Sequence, residues 1–241
     1  MKALSTEPTL LSTPELFARI RQLSPRLAVF DCDGTLWSGD AGSSFMQWTI
    51  DTGVLSPEAV ARLNQRYEGY KRGDVSELAI CGEMVQIYSG LCVEQLRLAA
   101  AQFFRECIEP HIFPEMLELV TELQRAGTEI WAVSSTCDWV IEEGVQRFNI
   151  PADHVLAACV ECSDGIATDR LRDVPTDEGK VAALARVGIV APDAVFGNSV
   201  HDAAMLAIAR AAFPVNPSPQ LSRLSAERGW PVYYPESARR G

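Results

Sequence analysis

Apolar positions along the chain follow two alternating rhythms. Short, nearly continuous runs occur at Leu27–Phe30, Ile130–Val133, His154–Cys159, Ala194–Phe196 and Ala211–Val215. Between them, apolar residues recur at helical spacing over about Pro114–Ala126, Asp138–Phe148, Glu178–Val187 and Asp202–Arg210. Apolar strands separated by amphipathic helices predict a parallel sheet covered on both faces. One interval breaks the alternation: Ser43 to Cys107 reads as helical throughout, with Gly53, Gly73 and Gly90 as breaks. Ser56-Pro57-Glu58, like Thr13-Pro14-Glu15 near the start, offers an N-cap, a proline at the first helical position and a first-turn acid. In "VECSDGIATDRL" an Asp-Gly pair between two short runs predicts a small hairpin.

The fold expected is therefore α/β, a Rossmann-like parallel sheet core with a small all-helical cap inserted after the first strand. The core takes residues 1–39 and 113–241, and the cap residues 40–112. An insertion at that point sits over the carboxyl ends of the strands, the edge where open α/β sheets bind ligands. It reads as a lid.

Composition narrows the partners. The chain has 241 residues, 47% hydrophobic and 22% charged, ordinary for a soluble globular protein. Its formal net charge of −11 argues against nucleic acid and against anionic membrane surfaces. No apolar run approaches the ~18–20 residues needed to span a bilayer. The N-terminal stretch "MKALSTEPTLLSTPELFARIRQL" lacks a continuous apolar centre, so no secretory leader is expected. Seven scattered cysteines, an odd number, are expected to be reduced thiols of a cytoplasmic protein. Cys159 and Cys162 form a lone CxxC with no second pair, a weak signal for zinc.

The informative chemistry lies where strands end. "LAVFDCDGTLW" finishes an apolar run with Asp31 and Asp33, two apart and so on one face of a continuing strand. Paired carboxylates repel unless a proton or cation lies between them, and Mg²⁺ prefers such oxygen ligands. The pair also suits a division of labour, one carboxylate as nucleophile and the other as proton donor. The plainer reading is an Asp-Gly turn. "IWAVSST" sets Ser134 and Ser135 after a second strand, where hydroxyls and amides can hold phosphate oxygens or simply form a loop. Lys180 stands near a helix start, against the helix dipole, where most lysines are solvated. "AVFGNSVHDAAML" ends another strand in Gly197-Asn198, with Asp202 in the next first turn, a place where acids are common without function.

Taken in order, these motifs resemble the haloacid dehalogenase superfamily, and within it the phosphoserine phosphatase-like branch. "DCDGT" matches its Asp-x-Asp-x-Thr with Asp31, Asp33 and Thr35, Ser134 its second motif and Lys180 its third. "GNSVHD" matches Gly-Asp-x-x-x-Asp in part, with Asn198 where the pattern usually has Asp. The resemblance spans Leu27 to about Asn216. It implies a phosphomonoesterase that hydrolyses a small phosphorylated metabolite through an aspartyl-phosphate on Asp31, with Asp33 as general acid and base. It also implies Mg²⁺ held by Asp31, Asp33 (main chain), Asn198 and Asp202, and phosphate held by Ser134, Ser135 and Lys180. Asp40 falls where phosphoserine phosphatases carry a glutamate that meets the substrate amine, which makes a phosphoserine-like substrate one candidate. In the cap, Arg62, Arg66, Lys71 and Arg72 form a basic run, either solvated or able to meet a substrate carboxylate, Arg72 being the candidate contact. Trp37, Trp48, Tyr67 and Tyr70 either line the site or pack helices. A phosphotransferase or mutase on the same fold, and a catalytically silent phosphate-ligand binding protein, are the alternatives. A dehalogenase is disfavoured, because those members lack the second aspartate present here as Asp33.

Overall fold

The computed structural model describes residues 7–240. Residues 1–6, which open the stretch read for a leader, and residue 241, the end of the expected core range, lie outside the described residues. The chain begins with β1 (Leu10–Leu11), α1 (Thr13–Leu23) and β2 (Leu27–Phe30). Four helices follow, α2 (Ala41–Asp51), α3 (Pro57–Lys71), α4 (Glu77–Gln86) and α5 (Val93–Phe103). A π-helical turn at Phe104–Ile108 then leads to α6 (Pro114–Arg125), β3 (Glu129–Cys137) and α7 (Asp138–Val145). β4 (Val155–Ser163) and β5 (Ile166–Asp173) precede α8 (Glu178–Arg186) and β6 (Ala194–Gly197). The chain closes with α9 (Ala203–Ala207), β7 (Ala211–Pro214), α10 (Pro219–Arg228) and β8 (Val232–Tyr233).

Six strands form the main sheet in the order β5-β4-β3-β2-β6-β7. All its pairings are parallel except β4 with β5, an antiparallel hairpin turning at Asp164-Gly165. The sheet separates two apolar layers, and β2 shows why its sequence is continuously apolar. Ala28 and Phe30 belong to the larger cluster, whereas Val29 belongs to the one beneath, with Trp131, Val133 and Val195 of neighbouring strands. Both faces of this central strand are covered, as the two-residue period of a parallel sheet requires. Phe30, Phe196 and Phe213 stack across β2, β6 and β7 with centroids 4.2 and 5.2 Å apart, which fixes these strands relative to one another. The Asp31 amide extends the ladder past β2 with a 2.9 Å bond to the Phe196 carbonyl.

Several expected boundaries move. The first helix is capped by Ser12, one residue before the expected Thr13, because Ser12 and Glu15 exchange hydrogen bonds in a capping box. β3 runs on to Cys137 instead of ending at Val133, with a register irregularity between those two residues, so Ser134 and Ser135 lie inside it. The helix expected over Asp202–Arg210 is a 3-10 turn, Val200–Asp202, followed by the short α9. Gly53, Gly73 and Gly90 fall after α2, α3 and α4, where helical breaks were read. No helix among the described residues is long and apolar enough to cross a membrane.

Candidate active site

Three adjacent strands, β3, β2 and β6, deliver Ser134, Asp31 and Asn198 to the same edge of the sheet. They open onto a cavity of about 260 Å³. Its floor is organised by Lys180, whose side chain is 97% buried and whose ammonium donates to Asp31 Oδ1 at 2.7 Å and Asp202 Oδ1 at 2.6 Å. A third bond, 3.2 Å long, reaches the Val133 carbonyl, so all three donors of the ammonium are used. The unfavourable dipole position of Lys180 in the first turn of α8 is thereby explained: two carboxylates outweigh it. Burial disfavours the ammonium, but Asp202 and Asp31 more than offset this and hold its pKa above the ordinary lysine value.

Each carboxylate has further partners. Asp31 Oδ2 accepts from the Thr35 hydroxyl at 2.9 Å. Asp202 Oδ2 accepts from the amides of Asn198 and Ser199, both at 2.9 Å, which folds "GNSVHD" into a tight loop. Two glycines permit that packing. A Cβ on Gly197 would lie 2.7 Å from the Asp202 Cβ, and one on Gly34, at φ 72°, would collide with the Asn198 side chain at 1.8 Å.

Asp33 is held separately. Its Oδ1 accepts from the Trp37 indole at 2.7 Å and the Ala41 amide at 2.8 Å, and its Oδ2 meets the Thr136 hydroxyl at 2.7 Å. Trp37 is fully buried beside Phe104, so it is a support for Asp33 and part of the core. The site carries more negative than positive charge. Burial, and then Asp202, push the Asp31 carboxyl up to about 7 against the pull of Lys180. Burial, and then Asp40, push Asp33 up to about 6 despite its hydrogen bonds.

The remaining expected residues divide. Ser134, Ser135, Asn198 and Asp40 all line the cavity. Asp40, however, caps α2, accepting from the Ser43 amide at 2.9 Å and from the Ser43 hydroxyl. Arg72 does not line it. That side chain is 64% exposed and pairs with Asp74 at 3.0 Å, while Arg66 pairs with Glu83 and Lys71 with Glu68. The contact expected of Arg72 with substrate is therefore corrected: Asp74, two residues on, holds its guanidinium on the surface. Tyr67 and Tyr70 line the cavity, whereas Trp48 packs against the main core. Sequence reasoning missed Thr136, although its "SST" run was visible, and Glu77, whose only mark is a first-turn acid after Ser76.

The fold and this edge define an α/β protein that works at the carboxyl ends of its central strands. The model of the family described as haloacid dehalogenase-like hydrolase matches residues 28–207. The chain belongs to that family, as its motifs anticipated. Over 217 residues it is 27% identical to a histidinol-phosphatase of Neisseria meningitidis serogroup C (strain 8013), covering 86% of this chain and 97% of the relative. A protein of unknown function from Bordetella pertussis Tohama I superposes with a TM-score of 0.77 at 26% identity, covering 87% of this chain and 98% of that one. A phosphoserine phosphatase solved as a phospho-aspartyl intermediate analogue shares the fold, with a TM-score of 0.59 at 16% identity over 90% of this chain and 96% of that one. The chain is a phosphatase of this family.

Proposed function

We propose that the chain is a Mg²⁺-dependent phosphomonoesterase of a small phosphorylated metabolite, with Asp31 as nucleophile and residues 40–112 as a cap over the site. The observation that carries this reading is the Lys180–Asp31 bond of 2.7 Å at the floor of the cavity. It fixes one oxygen of a buried carboxylate, with Asp33 held on the same loop by three donors.

Asp31 attacks phosphorus, and the bond from phosphorus to the leaving oxygen breaks. Asp33, in its protonated form, gives its proton to that oxygen. It then takes a proton from the water that attacks the aspartyl-phosphate, and inorganic phosphate leaves with Asp31 restored. A pKa near 6 keeps Asp33 within reach of both roles near neutrality. The Thr136 hydroxyl supports either state, because it donates to a carboxylate and accepts from an acid. Ser134 and Ser135 hold the phosphoryl oxygens, and Lys180, committed to Asp31, Asp202 and the Val133 carbonyl, balances their charge.

The donor set fits a hard cation. Asp31, Asp33 and Asp202 outnumber the one ammonium among them, and Asn198 adds an amide oxygen at the same edge. Asp31, Asn198 and the Asp33 carbonyl would hold Mg²⁺; Asp202, expected among the ligands, has Oδ1 on Lys180 and Oδ2 on the Asn198 and Ser199 amides, and would act by positioning Lys180 and that loop. The ion would offset the charge of phosphate and nucleophile as they approach.

The test is phosphate release from 4-nitrophenyl phosphate and a panel of metabolite monoesters, with no acceptor other than water. Release should need Mg²⁺, stop with a chelator, and fall by ~10³ or more in Asp31→Asn. A variant retaining more than a few per cent of the wild-type rate would end the covalent reading.

A further inference from the structure

The half of the cavity away from Asp31 belongs to the helices. Tyr67, Tyr70, Glu77 and Tyr88 line it, together with Asp40. Glu77 differs from every other acid of the site. Its Oε2 is shut off from solvent yet finds no hydrogen-bond donor, and the nearest cation-forming group, His201 Nε2, stands 3.7 Å away. The Glu77 side chain otherwise has only neutral donors, Cys81 Sγ at 3.5 Å from Oε1 and the Tyr70 hydroxyl. An unpartnered buried carboxylate oxygen is costly to keep, so its position on a ligand cavity calls for a donor from the ligand. Burial first, and then the hydrogen bond to Glu77, push the Tyr70 phenol well above the ordinary tyrosine value, so it stays a neutral donor and brings no positive charge.

The lining also lacks something. Lys180 is its one lysine or arginine among the described residues, and both carboxylates already hold it. Arg72, the expected partner for a substrate carboxylate, is engaged by Asp74 outside the cavity. A leaving group carrying a carboxylate would face Asp40 and Glu77, and the other cation-forming side chain of the lining, His201, is already paired with Asp177. One carrying an ammonium would supply the missing donor to Glu77 and lie among tyrosine rings, whose faces attract cations.

We propose, resting on the phosphatase reading above, that Glu77 is a specificity residue binding the protonated amine of the leaving group. The substrate class is then the phosphate monoester of an amino alcohol without a carboxylate. This assigns the amine to Glu77 in place of Asp40, whose acceptors are occupied by Ser43.

The experiment measures kcat and KM, with Mg²⁺, for histidinol phosphate (amine, no carboxylate), L-phosphoserine (amine and carboxylate) and glycerol 3-phosphate (neither). Histidinol phosphate should exceed both others in kcat/KM by at least ~10-fold. In Glu77→Gln its kcat/KM should drop ~10–100-fold, mainly through KM, the scale of one lost charge-assisted partner, with a much smaller drop for glycerol 3-phosphate. Arg72→Ala should leave the ratios unchanged. Equal use of the three esters, a preference for phosphoserine, or a parallel loss for all esters in Glu77→Gln would overturn the assignment while leaving the phosphatase reading intact. Failure of every ester, 4-nitrophenyl phosphate included, would remove both.

Discussion

The two ends of the cavity are built on different terms. At the sheet end, Asp31, Asp33 and Asp202 have both carboxylate oxygens partnered, and Lys180 uses all its donors. At the helical end, Asp40 is spent on its own helix and Glu77 keeps a bare buried oxygen. The sheet end needs no ligand to hold its geometry, which is what charge stabilisation in a reaction requires. The helical end is completed by whatever it binds. On the proposed reading, chemistry and recognition are separated along one cavity.

The strongest way to break this contrast is at its most connected atom. Lys180→Ala leaves Asp31 and Asp202 buried without their cation, so kcat/KM should fall ~10²–10³ for every ester alike. The denaturation midpoint should fall with it. A loss confined to amine-bearing esters would show that the two ends are not separate, and steady-state kinetics on the three-ester panel decides it.

A gentler change sharpens the charge balance at the sheet end. Asn198→Asp adds a carboxylate beside Asp31, so the Mg²⁺ concentration for half-activation should drop by about tenfold. The maximal rate should hold or decline, because added negative charge also opposes an anionic phosphate. A Mg²⁺ titration that leaves the half-activation point unmoved would place the cation elsewhere.

The smallest expected effect is thermodynamic. Asp31 and Asp33 titrate at about 7 and about 6 in the folded chain, above the ordinary aspartate value near ~4. Between those values the folded state binds more protons than the unfolded one. The stability these groups contribute is therefore full in acid and is lost as pH rises through about 7. Asp31→Asn removes one such group. Without divalent metal, its Tm relative to wild type should be higher at pH 8 than at pH 5 by ~2–4 °C, the scale of 1 kcal/mol in a chain this size. Parallel Tm curves for the two proteins would show that Asp31 ionises freely in the resting site.

What the sequence determined on its own is the sheet end. Leu27–Phe30 must be a covered strand, so Asp31 must emerge at its carboxyl edge, and the same local rule brings Ser134 and Asn198 to that edge from β3 and β6. Even the misplaced boundary of β3 left Ser134 on the site, because a strand's direction matters more here than where its pairing stops. Tertiary structure alone decided the helical end. Glu77 and Arg72 are both charged residues at helix termini, and nothing within a few residues of either distinguishes them. The rotation of each helix about its axis, set by packing around Leu63, Val75 and Ile80, turns Glu77 toward the cavity and leaves Arg72 to Asp74 on the surface. A one-dimensional pattern records which face of a helix is apolar; which neighbour that face meets is a long-range property of the fold.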